Sequence, residues 1–359
     1  MLLTNPCVFA AGDSYQIFVP VKNESVMWVK IGDKCYYDES NGVLRSLSRV
    51  HKITVPMKEL DEAKKYTVYN QEIRGRRKAY FNKMKPVKEY TYDFRPVEGD
   101  EIRCYHIADT HNRVEEPVKA AKVFGDIDFL ILNGDVPNDC GKIKYFNSIY
   151  EIVGRLTGGN IPAVFVRGNH DIRGSYAELF GDYIPTINGN TFFTFRVGNI
   201  WGLALDCGED KPDTNTEYGG TICCHAFRER ETGFIEKVAD CPCHKDEAIM
   251  KKLIVAHNPF TMRYPAPFNI EEDTFTYWAK LIKEKIAPDL MICGHLHKPG
   301  VHPVGGKLDA FGQPCTMVVG SMPGKGYFKG VGYVFRKDST DVIFTDSDGK
   351  REETITVNQ

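Results

Sequence analysis

Five short apolar runs punctuate the chain between residues 99 and 345, and each ends at a polar cluster. Ile102–Ala108 stops at Asp109, and Phe129–Leu132 stops at Asn133-Gly134-Asp135. Ala163–Val166 runs into Arg167-Gly168-Asn169-His170, Leu253–Ala256 into His257, and Leu290–Cys293 into Gly294-His295. Continuous apolar runs of this length are expected of strands buried on both faces. Between them Val114–Phe124, Ile143–Thr157, Phe227–Ala239 and Thr274–Ile286 show helical periodicity, so strand and helix alternate as in an α/β fold. Phe192–Phe195 and Trp201–Asp206 suggest a hairpin over Gly198-Asn199, and Val331–Phe335 with Asp341–Phe344 suggest closing strands. Residues 207–224 are expected to form a long surface loop that overhangs the strand ends. Gly320 to Gly332, with five glycines, is expected to be a turn region able to line a pocket.

Residues 1–98 carry a different rhythm. Ser25–Ile31 and Lys34–Tyr37 flank the turn pair Gly32-Asp33. His51–Val55 and Tyr66–Tyr69 alternate, and Glu89–Phe94 is rich in aromatics. Short strands at this spacing predict a small β-sandwich. Two units follow, 1–98 and 99–359, as a chain of 359 residues leads one to expect. The basic run Arg74-Gly75-Arg76-Arg77-Lys78 is expected at a solvated hairpin tip, with a polyanionic partner as the sharper alternative.

Composition narrows the function. The hydrophobic share of 42% is ample for a packed core. A net charge of −2 gives no bulk attraction to nucleic acid or anionic membrane, and a nuclease would need a local basic surface. Residues long and apolar enough to span a membrane are not found, nor is a signal-peptide pattern at Met1–Cys7. Eleven cysteines, odd in number and scattered, suggest a reducing cytoplasmic setting. Cys223, Cys224 and His225 with Cys241, Cys243 and His244 make a zinc site conceivable. Only one residue separates Cys241 from Cys243, unlike the usual zinc spacing, so free thiols are the default.

The polar clusters hold the chemistry. In open α/β sheets ligands bind beyond the carboxyl ends of the strands, so all five clusters should meet at one edge. They supply carboxylates, imidazoles and an amide. A lone histidine after a strand is usually just a surface or packed residue. Here five of ten histidines, His111, His170, His257, His295 and His297, fall in the clusters. His106 and Cys104 alternate on one strand and are expected in the core, and His302 in a loop.

The ordered set Asp109-Thr110-His111, Gly134-Asp135, Gly168-Asn169-His170-Asp171, His257 and Gly294-His295-Leu296-His297 resembles the calcineurin-like metallophosphoesterase superfamily over residues 99–345. The resemblance implies a four-layer αββα sandwich holding two divalent metals, and a phosphoester substrate such as a phosphorylated small molecule. It implies that Asp135 bridges the metals, that Asp109, His111 and His297 complete one site, and that Asn169, His257 and His295 complete the other. Manganese, iron or zinc suits such donors better than calcium. Ions about 3.5–4 Å apart would clamp the displacement and make hydroxide the nucleophile. His170 would stand beside the phosphoryl group and assist the leaving oxygen. Asp171 is open to two readings, fixing the tautomer of His170 or capping a helix over Ser175–Phe180.

With a β-sandwich of fibronectin type III character in front, the whole resembles the architecture of purple acid phosphatases. Leu60 and Tyr66 contribute, being spaced as in a tyrosine corner, whose hydroxyl bonds back to upstream backbone. Two departures stand out: Asn138 occupies the position of the metal-binding tyrosine, and His111 is present where those enzymes lack a histidine. A ferric-tyrosinate is therefore not expected. The competing functional class is a catalytically silent scaffold, which should have lost a ligand; none is lost. The substrate stays open among nucleotides, phospholipid head groups, phosphoproteins and sugar phosphates, and no protein partner of the first unit is indicated.

Overall fold

The computed structural model describes residues 1–40, 42–75 and 83–358. Arg76, Arg77 and Lys78 of the basic run lie outside the described residues. Period-two alternation explains how two sheets come to be stacked. Along Ile102–Ile107, Ile102 and Cys104 point to one side while Tyr105 and Ile107 point to the other. Phe129 and Ile131 against Leu130 and Leu132 repeat the pattern on the neighbouring strand, Phe129–Asn133. The inner set packs against Phe195, Leu253, Val255 and Ile292 of a second sheet. The outer set is covered by the helices Glu115–Phe124 and Asn147–Thr157 through Ala120, Phe124, Ile149 and Ile152. The far face of the second sheet, with Leu203, Ile254 and Met291, is covered by Cys224–Asp240 and Glu272–Leu281 through Ile235 and Trp278. The result is the expected four-layer αββα arrangement, with three apolar layers between.

Both sheets have a parallel centre. In the first, Ile102–Ile107, Phe129–Asn133 and Ala163–Val166 run side by side. In the second, Ile200–Leu205, Lys251–Ala256, Leu290–Cys293 and Met317–Val319 do the same. Parallel strands joined by helices put all their carboxyl ends on one side, which is where the five polar clusters begin. The hairpin Phe193–Val197 with Ile200–Leu205 turns where expected. Two expectations need correction. The glycine-rich stretch from Gly320 is mostly strand, Met322–Gly324 folding onto Tyr327–Arg336, and His302 ends the short strand Gly300–His302. Small residues there serve close packing: a Cβ on Gly332 would fall within 2.2 Å of the Phe124 ring.

The strands expected before residue 98 are present and antiparallel, but hydrogen bonding does not stop at that boundary. Cys7–Ala11 pairs parallel with Ala163–Val166, and also antiparallel with Ser14–Ile31. Ser14–Ile31 then carries the sheet on to Ser48–Pro56 and Lys65–Gly75. One apolar layer includes Ile17, Val29 and Ile53 together with Val164 and Val255. Tyr66 is accordingly not a tyrosine corner. Its hydroxyl donates to the Gly159 carbonyl at 2.8 Å, 93 residues downstream, and so ties the first strands to the loop before Ala163–Val166. A buried hydroxyl takes the acceptor within reach, and here that acceptor is long-range. Among the described residues no helix is long and apolar enough to cross a membrane.

Candidate metal centre

Three of the five strand ends turn through left-handed backbone, which shows the cost of the bend. Asp109, His111, Asp135, His295 and His297 all have φ between 46° and 66°, the left-handed region that side-chain-bearing residues rarely occupy. Such conformations persist where the surrounding fold imposes them. Glycines make the crowding possible. A Cβ on Gly134 would lie 2.6 Å from both Gly168 and His257 Nδ1, and one on Gly294 would lie 2.7 Å from Ala108. Beneath the site Asn133 Nδ2 donates to the carbonyls of Ala256 and Ile292, each at 3.3 Å, and so fastens one sheet to the other.

The expected ligands come together as a connected set. His111 Nε2 lies 3.5 Å from His297 Nε2, which lies 3.2 Å from Asp109 Oδ1. His257 Nε2 lies 3.6 Å from Asp109 Oδ1 and 3.2 Å from Asp135 Oδ2. Asn169 Oδ1 is 3.1 Å from His295 Nδ1. Donor atoms of Asp109, His111 and His297 fall within 4.8 Å of one another, as do those of Asp135, His257 and His295. Asp135 also groups with His111 and His170, so it faces both halves of the set.

Charge is distributed unevenly across these groups. Burial is the largest influence and opposes ionisation of Asp109 and Asp135, but His257 together with His297 at Asp109 and His170 at Asp135 outweighs it and holds both carboxyls below their usual range. His257 is itself buried, which disfavours its cation, yet Asp135 and Asp109 raise its pKa to about 10. Burial pushes His111 and His295 down to about 4. A divalent cation fits this set. The donors are borderline imidazoles with hard carboxylate and amide oxygens. His257 Nε2 is buried without a hydrogen bond between two carboxylates, while its Nδ1 is fixed by the Asn133 carbonyl at 2.7 Å. That is the outer contact which aims an imidazole at a metal.

Proton release on metal uptake follows. A pKa near 10 leaves His257 protonated at pH 7.5 in the metal-free protein, and Nε2 must lose that proton to bind an ion. About one proton should therefore leave per centre filled, and affinity should rise with pH. Calorimetric titration in two buffers of different ionisation enthalpy measures this, and identical heats in both would refute it. Without metal the sign is reversed. The stabilisation from His257 is full below its unfolded pKa of about 6.5 and is lost as pH rises through about 10.

His170 lies at the rim, its Nε2 3.9 Å from Asp135 Oδ2. Its Nδ1 meets the Asn138 carbonyl at 2.9 Å, so the carbonyl, not Asp171, fixes its tautomer. Both readings of Asp171 are thereby corrected. The short helix Ala177–Asp182 is preceded by Tyr176, and Asp171 is buried beneath the site. Its Oδ2 accepts the backbone N–H of Gly168 at 2.8 Å and of Asp135 at 3.1 Å, clamping two ligand loops together. An acceptor buried beside two unpaired amides is drawn to them rather than to a ring at the surface.

Sequence reasoning missed Ser321, whose hydroxyl donates to Asp109 Oδ2. Met317–Val319, then Gly320 and Ser321, repeats the form of Cys293-Gly294-His295, and that signal was available. It also missed Arg173, Glu209 and Asp210. The loop 207–224 does overhang the centre: Asp210 Oδ2 comes within 4.0 Å of His295 Nε2. Among the described residues no metal-capable group of three or more includes a cysteine, and all eleven thiols are free. His106 and Cys104 are core residues, as expected.

A family model described as calcineurin-like phosphoesterase matches residues 102–299. Among solved structures the chain is similar to a purple acid phosphatase from yellow lupin (Lupinus luteus) seeds, at 12% identity over 99% of this chain and 74% of that one, with a TM-score of 0.60. This is a likeness of fold. Further similarities are to a predicted phosphoesterase of Streptococcus pneumoniae (10% identity, 73% of this chain and 100% of that one, TM-score 0.35). Another is to vacuolar protein sorting 29 of Cryptosporidium parvum (9% identity, 73% and 100%, TM-score 0.37). No curated protein matches the sequence.

Proposed function

Because the chain belongs to the calcineurin-like phosphoesterase family, we propose that it is a dinuclear metal-dependent hydrolase of phosphate esters. The observation that carries this reading is the convergence of seven donor side chains from five strand ends, with no position of the set replaced. Asp135 would bridge two divalent ions, manganese, iron or zinc. Asp109, His111 and His297 would hold one, and Asn169, His257 and His295 the other. Such a pair supplies Lewis acidity toward the phosphoryl oxygens and activates water.

The chain's own groups do the rest. Ser321 and the His295 amide hold Asp109 in place by hydrogen bonds to its carboxylate. The His170 amide donates to Asp135 Oδ1 at 2.8 Å, which fixes the orientation of the bridging carboxylate. The His170 ring, anchored through Nδ1 and partly exposed, presents Nε2 at the mouth, where it would assist the leaving oxygen. A cytoplasmic setting remains our reading of the eleven free thiols.

The test is hydrolysis of p-nitrophenyl phosphate and bis-p-nitrophenyl phosphate with Mn²⁺, before and after chelation. Turnover that chelation abolishes is expected. Failure to hydrolyse either ester with metal demonstrably bound would favour the silent scaffold.

A further inference from the structure

Arg173 stands three residues beyond His170, on the rim of the centre. Its Nη1 lies 3.1 Å from His170 Nε2. Its other nitrogens are committed: Nε and Nη2 donate to the two carboxylate oxygens of Glu209, and Nη2 lies 3.6 Å from Asp210 Oδ1. Nη1 donates one hydrogen to His170 Nε2, whose Nδ1 is held by the Asn138 carbonyl, and its second hydrogen is the one left for the site. The grip is rigid from behind. Only 1% of the Glu209 side chain is exposed, and the buried Arg228 holds the loop by donating to the carbonyls of Cys207 and Glu209. About a third of the Arg173 side chain is exposed, so solutes can reach it. A cleft of about 540 Å³ opens on its far side, lined by Ser175, Glu178, Tyr218 and Thr221.

Nothing in metal binding requires a fixed guanidinium here. A phosphoryl group does, because guanidinium hydrogens match phosphate oxygens in spacing and charge. A monoester has three terminal oxygens and two negative charges. A diester has two terminal oxygens and one charge, with a second ester arm in place of the third oxygen. Resting on the hydrolase reading above, we infer that Arg173 binds the terminal phosphoryl oxygen that only a monoester offers. It thereby sets the enzyme's preference for monoesters. Glu209 is the positioning residue that holds it.

The experiment compares kcat/KM for p-nitrophenyl phosphate and bis-p-nitrophenyl phosphate in the Mn²⁺-loaded full chain, with inorganic phosphate as a binding probe. Arg173→Ala should lose about 50-fold on the monoester and less than about threefold on the diester, as expected for one charge-assisted phosphate contact. Added guanidinium ion should restore part of the monoester rate, and phosphate affinity should fall about tenfold with metal content unchanged. Arg173→Lys keeps a charge beside Glu209 if the alanine variant folds poorly. It lacks the planar fork, so it should still lose about tenfold on the monoester. Equal losses on both esters, or none, overturn the inference while leaving the hydrolase reading intact. If the wild type cleaves neither ester, the hydrolase reading fails separately. Arg173 is then judged on phosphate affinity alone, and an unchanged value in either variant overturns it.

Discussion

An Asp135→Asn variant is expected to lose more than about a hundredfold in phosphoester turnover, because it removes the carboxylate shared by both halves of the ligand set. The substitution is nearly isosteric. The amide oxygen can still accept the His170 N–H that Asp135 Oδ1 accepts now, so the loop has no reason to rearrange. What disappears is a charge and the ability to offer an anionic oxygen to each of two cations. The loss spreads to His257, whose pKa is raised chiefly by Asp135. In the variant His257 should titrate lower, and metal binding should release less proton. Steady-state rates with Mn²⁺, together with elemental analysis of the purified protein, test this. Near-normal turnover, or full metal occupancy with unchanged rates, would sink the assignment.

The second large effect is expected at Asp171, and it is one of stability. Asp171→Ala removes the acceptor for two buried N–H groups, those of Gly168 and Asp135. Each unpaired amide costs about 1–3 kcal/mol, so the fold should weaken by about 2–6 kcal/mol. The loops carrying Asp135 and Asn169 would no longer be tied, and metal affinity should fall with stability. Asp171→Asn keeps an acceptor oxygen and should lose far less. Denaturant unfolding and metal content decide the matter together. A variant with wild-type stability and metal content but a displaced pH–rate profile would instead return Asp171 to the role of orienting His170.

The centre was legible because its signals are local. Each ligand follows an apolar run within four residues, and Gly134, Gly168 and Gly294 mark the points where two segments must nearly touch. A buried parallel strand cannot be written any other way, so the strands and the helices between them could be placed from periodicity alone. What stayed hidden was choice of partner. Cys7-Val8-Phe9-Ala10-Ala11 is as apolar as the other central strands, but nothing in those five residues says that they lie beside Ala163–Val166. Tyr66 sits where a tyrosine corner would, and only the folded chain reveals that its acceptor is Gly159. Asp171 bonds to amides brought near by two separate turns, and Arg173 meets a glutamate 36 positions away. Pairings of this kind are set by the assembled layers, and a local pattern carries no record of them.

The left-handed backbone at Asp109, His111, Asp135, His295 and His297 has an evolutionary meaning. Each such residue burdens the fold by about 1–3 kcal/mol, and glycine would make the same bend with little strain. Mutational drift in a lineage freed from its chemistry would run downhill, toward a sturdier and inert descendant. A chain that still carries all five sits uphill of that end point.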